Sequence, residues 1–277
     1  MSKNEKHCII YFDDIFINNN ISAKRKAKNM KLLEGKNAVI TGCLQGIGLA
    51  TMDLFAQHGA NIWACCQCES ESWRTHVEEL RKTYGVEITP LYFDLTNPDE
   101  IKASFKTIMS AKKPVDILVN IAGMALDSLF HMVTMEQMKK TFEVNFFGPM
   151  LLTQYVTKLM ARQKNGSVIS ISSISALDGN PGQVSYSASK SAWIGATKTL
   201  SAELGPMGIR VNAVAPGVIK TAMTDKLTPE VIDRLMIPSD IKHLGLPEDV
   251  GNLIVFLASD MSKYITGQII RVDGGIG

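Results

Sequence analysis

Tyr186 and Lys190 stand four residues apart in YSASK, and Ser173 lies thirteen residues before the tyrosine. Positions i and i+4 share one face of a helix, so a helical YSASK presents a phenol and an ammonium to the same pocket. The run SVISISS (167–173) alternates like a strand and ends in a serine. The carboxyl edge of an open α/β sheet is where ligands are held. A free tyrosine titrates near ~10, and a nearby lysine cation favours the phenolate and is expected to lower that value. A neutral serine hydroxyl can hold a substrate oxygen beside it. The three groups suit proton transfer to or from a carbonyl or alcohol oxygen. Ser172 competes with Ser173, and strand alternation turns one of the two away.

A second motif lies far upstream. TGCLQGIG (41–48) follows the apolar run NAVI and precedes LATMDLFAQHG, which has helical periodicity. Gly42, Gly46 and Gly48 would let the chain turn tightly, admit a pyrophosphate to the backbone and seat the helix on the strand. The helix N-terminus would then offer free N–H groups to the phosphates. The spacing is G-x-x-x-G-x-G, not G-x-G-x-x-G. By itself such a turn can also be purely structural.

These motifs need a scaffold of alternating strands and helices. Strands are expected at 37–42, 60–66, 87–93, 115–120, 167–172, 209–214 and 268–272, with long helices near 132–163 and 185–204. That order predicts an α/β fold: a single Rossmann-like, doubly wound parallel sheet with right-handed crossovers and helices on both faces. No internal repeat or second domain is evident. The 277 residues are 45% hydrophobic and 20% charged, which suits a globular chain with a substantial core. The net charge of +2 gives no strong pull toward nucleic acid or an anionic membrane, and no apolar run approaches the ~18 residues of a membrane span. The chain reads as cytoplasmic.

From about residue 31 to its end the chain resembles the short-chain dehydrogenase/reductase family. The resemblance rests on TGCLQGIG, DLT (94–96), NIAG (120–123), the VN ending at Asn145, SVISISS, YSASK and PGVIKT (216–221), in the family's order. Within the family it is most similar to bacterial β-ketoacyl-acyl-carrier-protein reductases, on MKLLEGK (30–36), GNPGQ (179–183), RVNAVAPG (210–217), PEDV (247–250) and ITGQIIRVDGG (265–275). The resemblance implies a catalytic set of Asn145, Ser173, Tyr186 and Lys190. It also implies nicotinamide-cofactor contacts at Gly42, Gln45, Gly46, Ile47, Gly48, Cys65, Cys66, Asp94, Leu95, Asn120, Ala122, Gly123, Tyr186, Lys190, Pro216, Gly217, Val218 and Thr221, with no metal. Asp94 would bond the adenine amino group, against a local reading as a helix cap, for which Asn97 is the better residue. Asn120–Gly123, locally only a strand-ending turn, would lie along the cofactor. Asn145 would disturb its helix and hold a water linking Lys190 to solvent, against a local reading in which its amide bonds a neighbouring turn.

The implied reaction is reduction of a carbonyl to a secondary alcohol, first of a 3-oxoacyl thioester on an acyl carrier protein. A non-acyl alcohol, ketone or sugar-derived substrate is the alternative, and a non-catalytic dinucleotide-binding protein a minor one. NADP(H) is favoured over NAD(H), because the end of NIWACCQC (61–68) carries Cys65 where NAD users place an acid. Gln45, however, stands where NADP users often carry arginine. For carrier-protein docking, Arg162 and Lys164 supply one basic position, while a second is occupied by Met207. The segment 218–245 reads as a lid, with Met223, Leu227, Leu235, Met236 and Ile237 as its apolar residues. Relatives imply a homotetramer built through the long helices and the C-terminal segment.

Two features stand outside this frame. Cys65, Cys66 and Cys68 give a C-x-x-C spacing without a second pair, so buried thiols are expected over a zinc site. Residues 1–29 carry a balance of +3, leaving −1 for the remainder, with Cys8 as a free thiol and KRKAK (24–28) as a solvated basic stretch. Asp13 and Asp14 interrupt its apolar patch, against a targeting peptide, and a mobile extension ahead of the 30–277 domain is expected.

Overall fold

A computed structural model describes residues 31–226 and 228–276; the expectations for residues 1–29 and for Leu227 lie outside them. Seven parallel strands form one sheet: β1 (Asn37–Thr41), β2 (Asn61–Cys66), β3 (Ile88–Tyr92), β4 (Ile117–Asn120), β5 (Gly166–Ile171), β6 (Ile209–Pro216) and β7 (Ile269–Val272). Their spatial order is β3-β2-β1-β4-β5-β6-β7. All seven expected strands are present, with ends within two residues of expectation. The winding reverses between β1 and β4, and the crevice beyond their carboxyl ends is the natural ligand position.

The strands read as nearly continuous apolar runs because both faces are covered. Ala38, Ile40, Ile62, Ala64, Ile117 and Val119 enter one core with Met52, Phe55, Val250 and Ile254. Val39, Trp63, Leu118 and Val168 enter the other with Ile101, Leu152, Val156 and Met160. The first core is closed by α1 (Gly46–Gln57), α2 (Glu71–Tyr84) and, near the chain's end, a helix at Pro247–Ala258; the second is closed by α3 (Pro98–Ser110) and a helix at Gly148–Gln163.

The expected helix at 132–163 is not one helix. A capping box of Thr134 and Gln137 starts α4 (Met135–Phe142), a π-helical turn covers Glu143–Phe147, and α5 (Gly148–Gln163) follows. α6 (Val184–Leu204) carries YSASK in its first turns. Besides a one-turn helix at Ser175–Asp178, two further helices are α7 (Pro229–Met236) and α8 (Pro247–Ala258).

β1 and α1 meet at the glycine turn. Gly42 has φ 79°, and a Cβ on Gly48 would lie 2.0 Å from the Gly42 carbonyl oxygen. A backbone atom cannot yield as a side-chain tip can, so Gly48→Ala is expected to destabilise the fold by about 2 kcal/mol or more. A shifted urea midpoint at unchanged slope would show this; an unshifted midpoint would mean that α1 is not seated by this contact.

Candidate active site

β5 delivers Ser172 and Ser173 to the carboxyl edge of the sheet, and the strand's alternation separates their roles. Ser172 is fully buried and its hydroxyl donates to the Lys190 carbonyl at 2.9 Å. Ser173 turns the other way, near enough to the Tyr186 phenol to act on its pKa. Ser173 Oγ also lies 2.8 Å from Ser175 Oγ and accepts from the Ser175 backbone N–H at 3.2 Å. Of the two competing serines, Ser173 is the one beside the phenol.

Tyr186 and Lys190 share one face of α6. The Lys190 ammonium is 5.9 Å from the Tyr186 ring centroid and donates to the Ile171 carbonyl at 2.8 Å. Only 3% of Lys190 is exposed, and burial pushes its pKa down to about 8. The Tyr186 phenol is pushed above its ordinary value, first by burial and further by the Asp127 charge, with the nearby Ser173 hydroxyl acting the other way. The expectation of a lysine-lowered phenol is therefore corrected. Desolvation outweighs the favourable contacts, and the phenol is held as a proton donor at neutral pH.

Asn145 packs from the other side. Its amide accepts from Met124 N at 2.8 Å and donates to Met124 O at 2.9 Å and Ser189 Oγ at 3.0 Å. Its backbone carbonyl accepts the Trp193 indole N–H at 2.8 Å. Asn145 lies in the π-helical turn, and its amide is bonded to the Met124 backbone. A Cβ on Gly123 would sit 3.2 Å from Lys190 Nζ and 3.3 Å from Asn145 Oδ1, so that segment threads between them.

The segments expected to hold a dinucleotide gather above the β1/β4 crevice. The position of a Gly42 Cβ is 2.9 Å from Ala122 N, and that of a Gly46 Cβ is 3.2 Å from Thr221 Cγ2. Gln45, Gly46 and Ile47 open α1, which begins without a side-chain cap and with no acidic residue in its first turn. Pro216 O accepts from Ile174 N at 3.1 Å, drawing Pro216–Val218 beside Ser173. Asn120 is buried, its amide donating to Thr153 of α5 and Ser170 of β5, so its side chain ties β4 to both. Asp94 accepts from Thr96 N–H and hydroxyl, which hold its carboxyl below the usual range. Leu95 follows it, half-buried, and Asn97 caps α3 as expected.

The Cys65 and Cys66 thiols are buried in the cores, and the exposed groups after β2 begin at Gln67. Cys68 is exposed, not buried. Among the described residues, no three His, Cys, Asp or Glu side chains are placed to hold a metal ion. Arg162 and Lys164 close α5 just before Gly166, whereas Ser173 follows the far end of β5. At ~3.3 Å per residue, about 20 Å of strand separates them from the site within one chain. The 218–245 segment does leave the carboxyl end of β6, is tied back where Ile241 N donates to Gly274 O at 2.9 Å, and exposes Met223 and Ile237. Sequence reasoning missed Ser175, Ser189 and Trp193. Ser189 lies inside YSASK itself, and Trp193 lies three residues beyond Lys190 on the same helical face.

The sequence profile of the family described as enoyl-(acyl carrier protein) reductase matches residues 42–277. The chain is 41% identical to a 3-oxoacyl-(acyl-carrier-protein) reductase of Thermotoga maritima over 88% of this chain and 98% of that one. The crystal structure of such a reductase from Brucella melitensis superposes with a TM-score of 0.84 at 30% identity, covering 91% and 94% of the two chains. A structure from Beutenbergia cavernae, named for an NAD(P)-dependent gluconate 5-dehydrogenase and holding NADP at low occupancy, has a TM-score of 0.83 at 29% identity, covering 88% and 98%.

Holding Lys190 charged at pKa about 8, instead of the free value near ~10.4, costs the folded state about 3 kcal/mol. The cost is present below pH 8, where both states are protonated, and fades as pH rises toward the unfolded value. Lys190→Met should therefore stabilise the protein by about 1–3 kcal/mol at pH 7 and by less at pH 10. Urea unfolding at the two pH values measures this; a destabilised variant at pH 7 would show that the ammonium is compensated in place.

Proposed function

The chain belongs to the short-chain dehydrogenase/reductase family and is an NAD(P)-dependent oxidoreductase acting on CH–OH and carbonyl groups; we propose that it reduces a 3-oxoacyl thioester, carried on an acyl carrier protein, to the 3-hydroxyacyl thioester. The observation that carries this reading is the buried Lys190 ammonium 5.9 Å from the Tyr186 ring, with the Ser173 hydroxyl on the same side of the phenol. The substrate class is supported by the Thermotoga and Brucella reductases, matched over nearly their whole length.

The glycine turn fits a dinucleotide. α1 starts uncapped and free of acidic side chains, a favourable end for a pyrophosphate. Gly42, Gln45, Gly46, Ile47 and Gly48 would hold the phosphates; Asp94, Leu95 and the β2 end at Cys65–Cys66 would border the adenosine. Ala122, Gly123, Pro216, Gly217, Val218 and Thr221 would border the nicotinamide. A bound nicotinamide cofactor supplies or accepts hydride at the substrate carbon. NADP(H) is the preferred form: Cys65 and Cys66 present no acid at the strand end, and the nearest exposed acid, Glu69, is paired with Arg74 at 3.8 Å.

The chain's own residues handle the oxygen. Ser173 and Tyr186 hydrogen-bond the carbonyl, and Tyr186 donates its proton as the carbon is reduced, giving CH–OH. Its raised pKa keeps that proton in place at neutral pH. Lys190, still charged below about pH 8, stabilises the negative charge that builds up on the phenolate. Asn145 holds the Gly123–Met124 backbone against the ammonium. The same reading places the enzyme in the cytoplasm as a homotetramer, with α5, α6 and the C-terminal segment at the subunit contacts.

A non-acyl substrate is the second reading, favoured by the structural likeness to the gluconate dehydrogenase. Absorbance assays should show NADPH oxidised by an acetoacetyl thioester, more slowly with NADH and not with 5-ketogluconate. Turnover of the ketogluconate alone would transfer the site to the second reading. Tyr186→Phe is expected to cut kcat by about 10²–10⁴-fold while leaving cofactor affinity near wild type. Wild-type turnover in that variant would remove the phenol from the mechanism.

A further inference from the structure

We propose that Trp193 is a positioning residue of this site, its indole N–H holding the Asn145 carbonyl and so fixing the amide that clamps Met124 beside Lys190. This rests on the Ser173–Tyr186–Lys190 reading above and extends it to a residue that touches neither substrate nor cofactor.

The argument begins with a missing donor. In an α-helix the carbonyl of residue i accepts from the N–H of residue i+4. Four residues beyond Asn145 is Pro149, which has no N–H. The chain meets this at the π-helical turn 143–147, where Gly148 N–H reaches back five residues to Glu143 O. Asn145 is fully buried, so its carbonyl needs a donor from within the protein. Trp193 supplies one at 2.8 Å. The indole is itself 98% buried and is held edge-on against Phe146, ring centroids 5.3 Å apart.

The bond reaches the chemistry by a short path. Tyr186, Lys190 and Trp193 follow i, i+4, i+7 spacing on one face of α6. Asn145 donates to Ser189 Oγ, which in turn donates to the Tyr186 carbonyl at 2.7 Å. The other Asn145 contacts pin Met124 through both its N–H and its carbonyl, and Gly123 is wedged between Asn145 Oδ1 and Lys190 Nζ. A carbonyl released from Trp193 would let the π turn relax, and the clamp on 123–124 would move with it. Displacements of an ångström near reacting groups are costly in rate.

Trp193→Phe keeps the ring contact with Phe146 and removes the N–H. With the acetoacetyl thioester, kcat should fall about tenfold while KM and NADPH affinity stay within about twofold. In an Asn145→Ala background the same substitution should change kcat little, because the path is already cut. Phe146→Leu, which loosens packing but spares the N–H, should leave kcat near wild type. An unchanged kcat in Trp193→Phe, or the full loss repeated in the Asn145→Ala background, would reduce Trp193 to core packing. In the unaltered enzyme, slow exchange of the Trp193 indole proton is expected by NMR; fast exchange would overturn the proposal even if the Phe variant failed to fold. Failure of Tyr186→Phe to lose activity would instead overturn the mechanism itself, leaving the Trp193 bond intact.

Discussion

Lys190 brings a full positive charge into a part of the protein nearly closed to water, where the Ile171 carbonyl accepts from it and Gly123 and Asn145 pack against its tip. Much of the neighbouring structure is what such a charge requires. Ser172 ties the backbone of the same residue to β5 from the opposite side. The segment beyond β4 can pass this closely because residue 123 lacks a side chain. A buried ammonium is costly, and it shares its desolvated setting with a phenol that burial keeps protonated. The two groups favour opposite outcomes: the phenol resists losing its proton, and the ammonium rewards the charge that the loss creates. A proton donor that must give way only during reaction is served by that opposition.

The sheet topology explains why these groups meet. Strands β4, β5 and β6 run parallel, so Asn120–Gly123, Ser172–Ser173 and Pro216–Val218 emerge at one edge although they come from distant parts of the chain. α6 then returns along the second core and sets its first turns over that edge. The π turn lets the chain from α4 into α5 present Asn145 inward, and the proline that follows removes the N–H an ordinary helix would have used. Local sequence and tertiary contact cooperate here: Pro149 leaves the carbonyl free, and a tryptophan from another helix accounts for it.

The legible part of the sequence was the part governed by local periodicity and by short motifs. Seven strands could be placed because residues at consecutive positions, such as Ala38, Val39 and Ile40, are all apolar and must be buried on both faces. The α6 pair Tyr186/Lys190, the glycine turn and the Asn97 cap were readable for the same reason: their spacing alone fixes their relation. The helix at 132–163 misled, since its amphipathic pattern continues through Glu143–Phe147 while its hydrogen bonding does not. Cys68 misled as well, because a thiol's burial depends on where β2 ends and not on its neighbours in sequence.

What the amino-acid order determined by itself was the candidate set of reacting groups, the strand-helix alternation and the need for a glycine at each close approach. What only the tertiary structure decided was how strongly each group is desolvated, which of Ser172 and Ser173 faces the phenol, and that Trp193 serves Asn145. Burial and long-range hydrogen bonds are sums over residues far apart in the chain. The pKa of Tyr186 moved opposite to the local expectation for that reason: the lysine four residues away is visible in the sequence, but the exclusion of water is not.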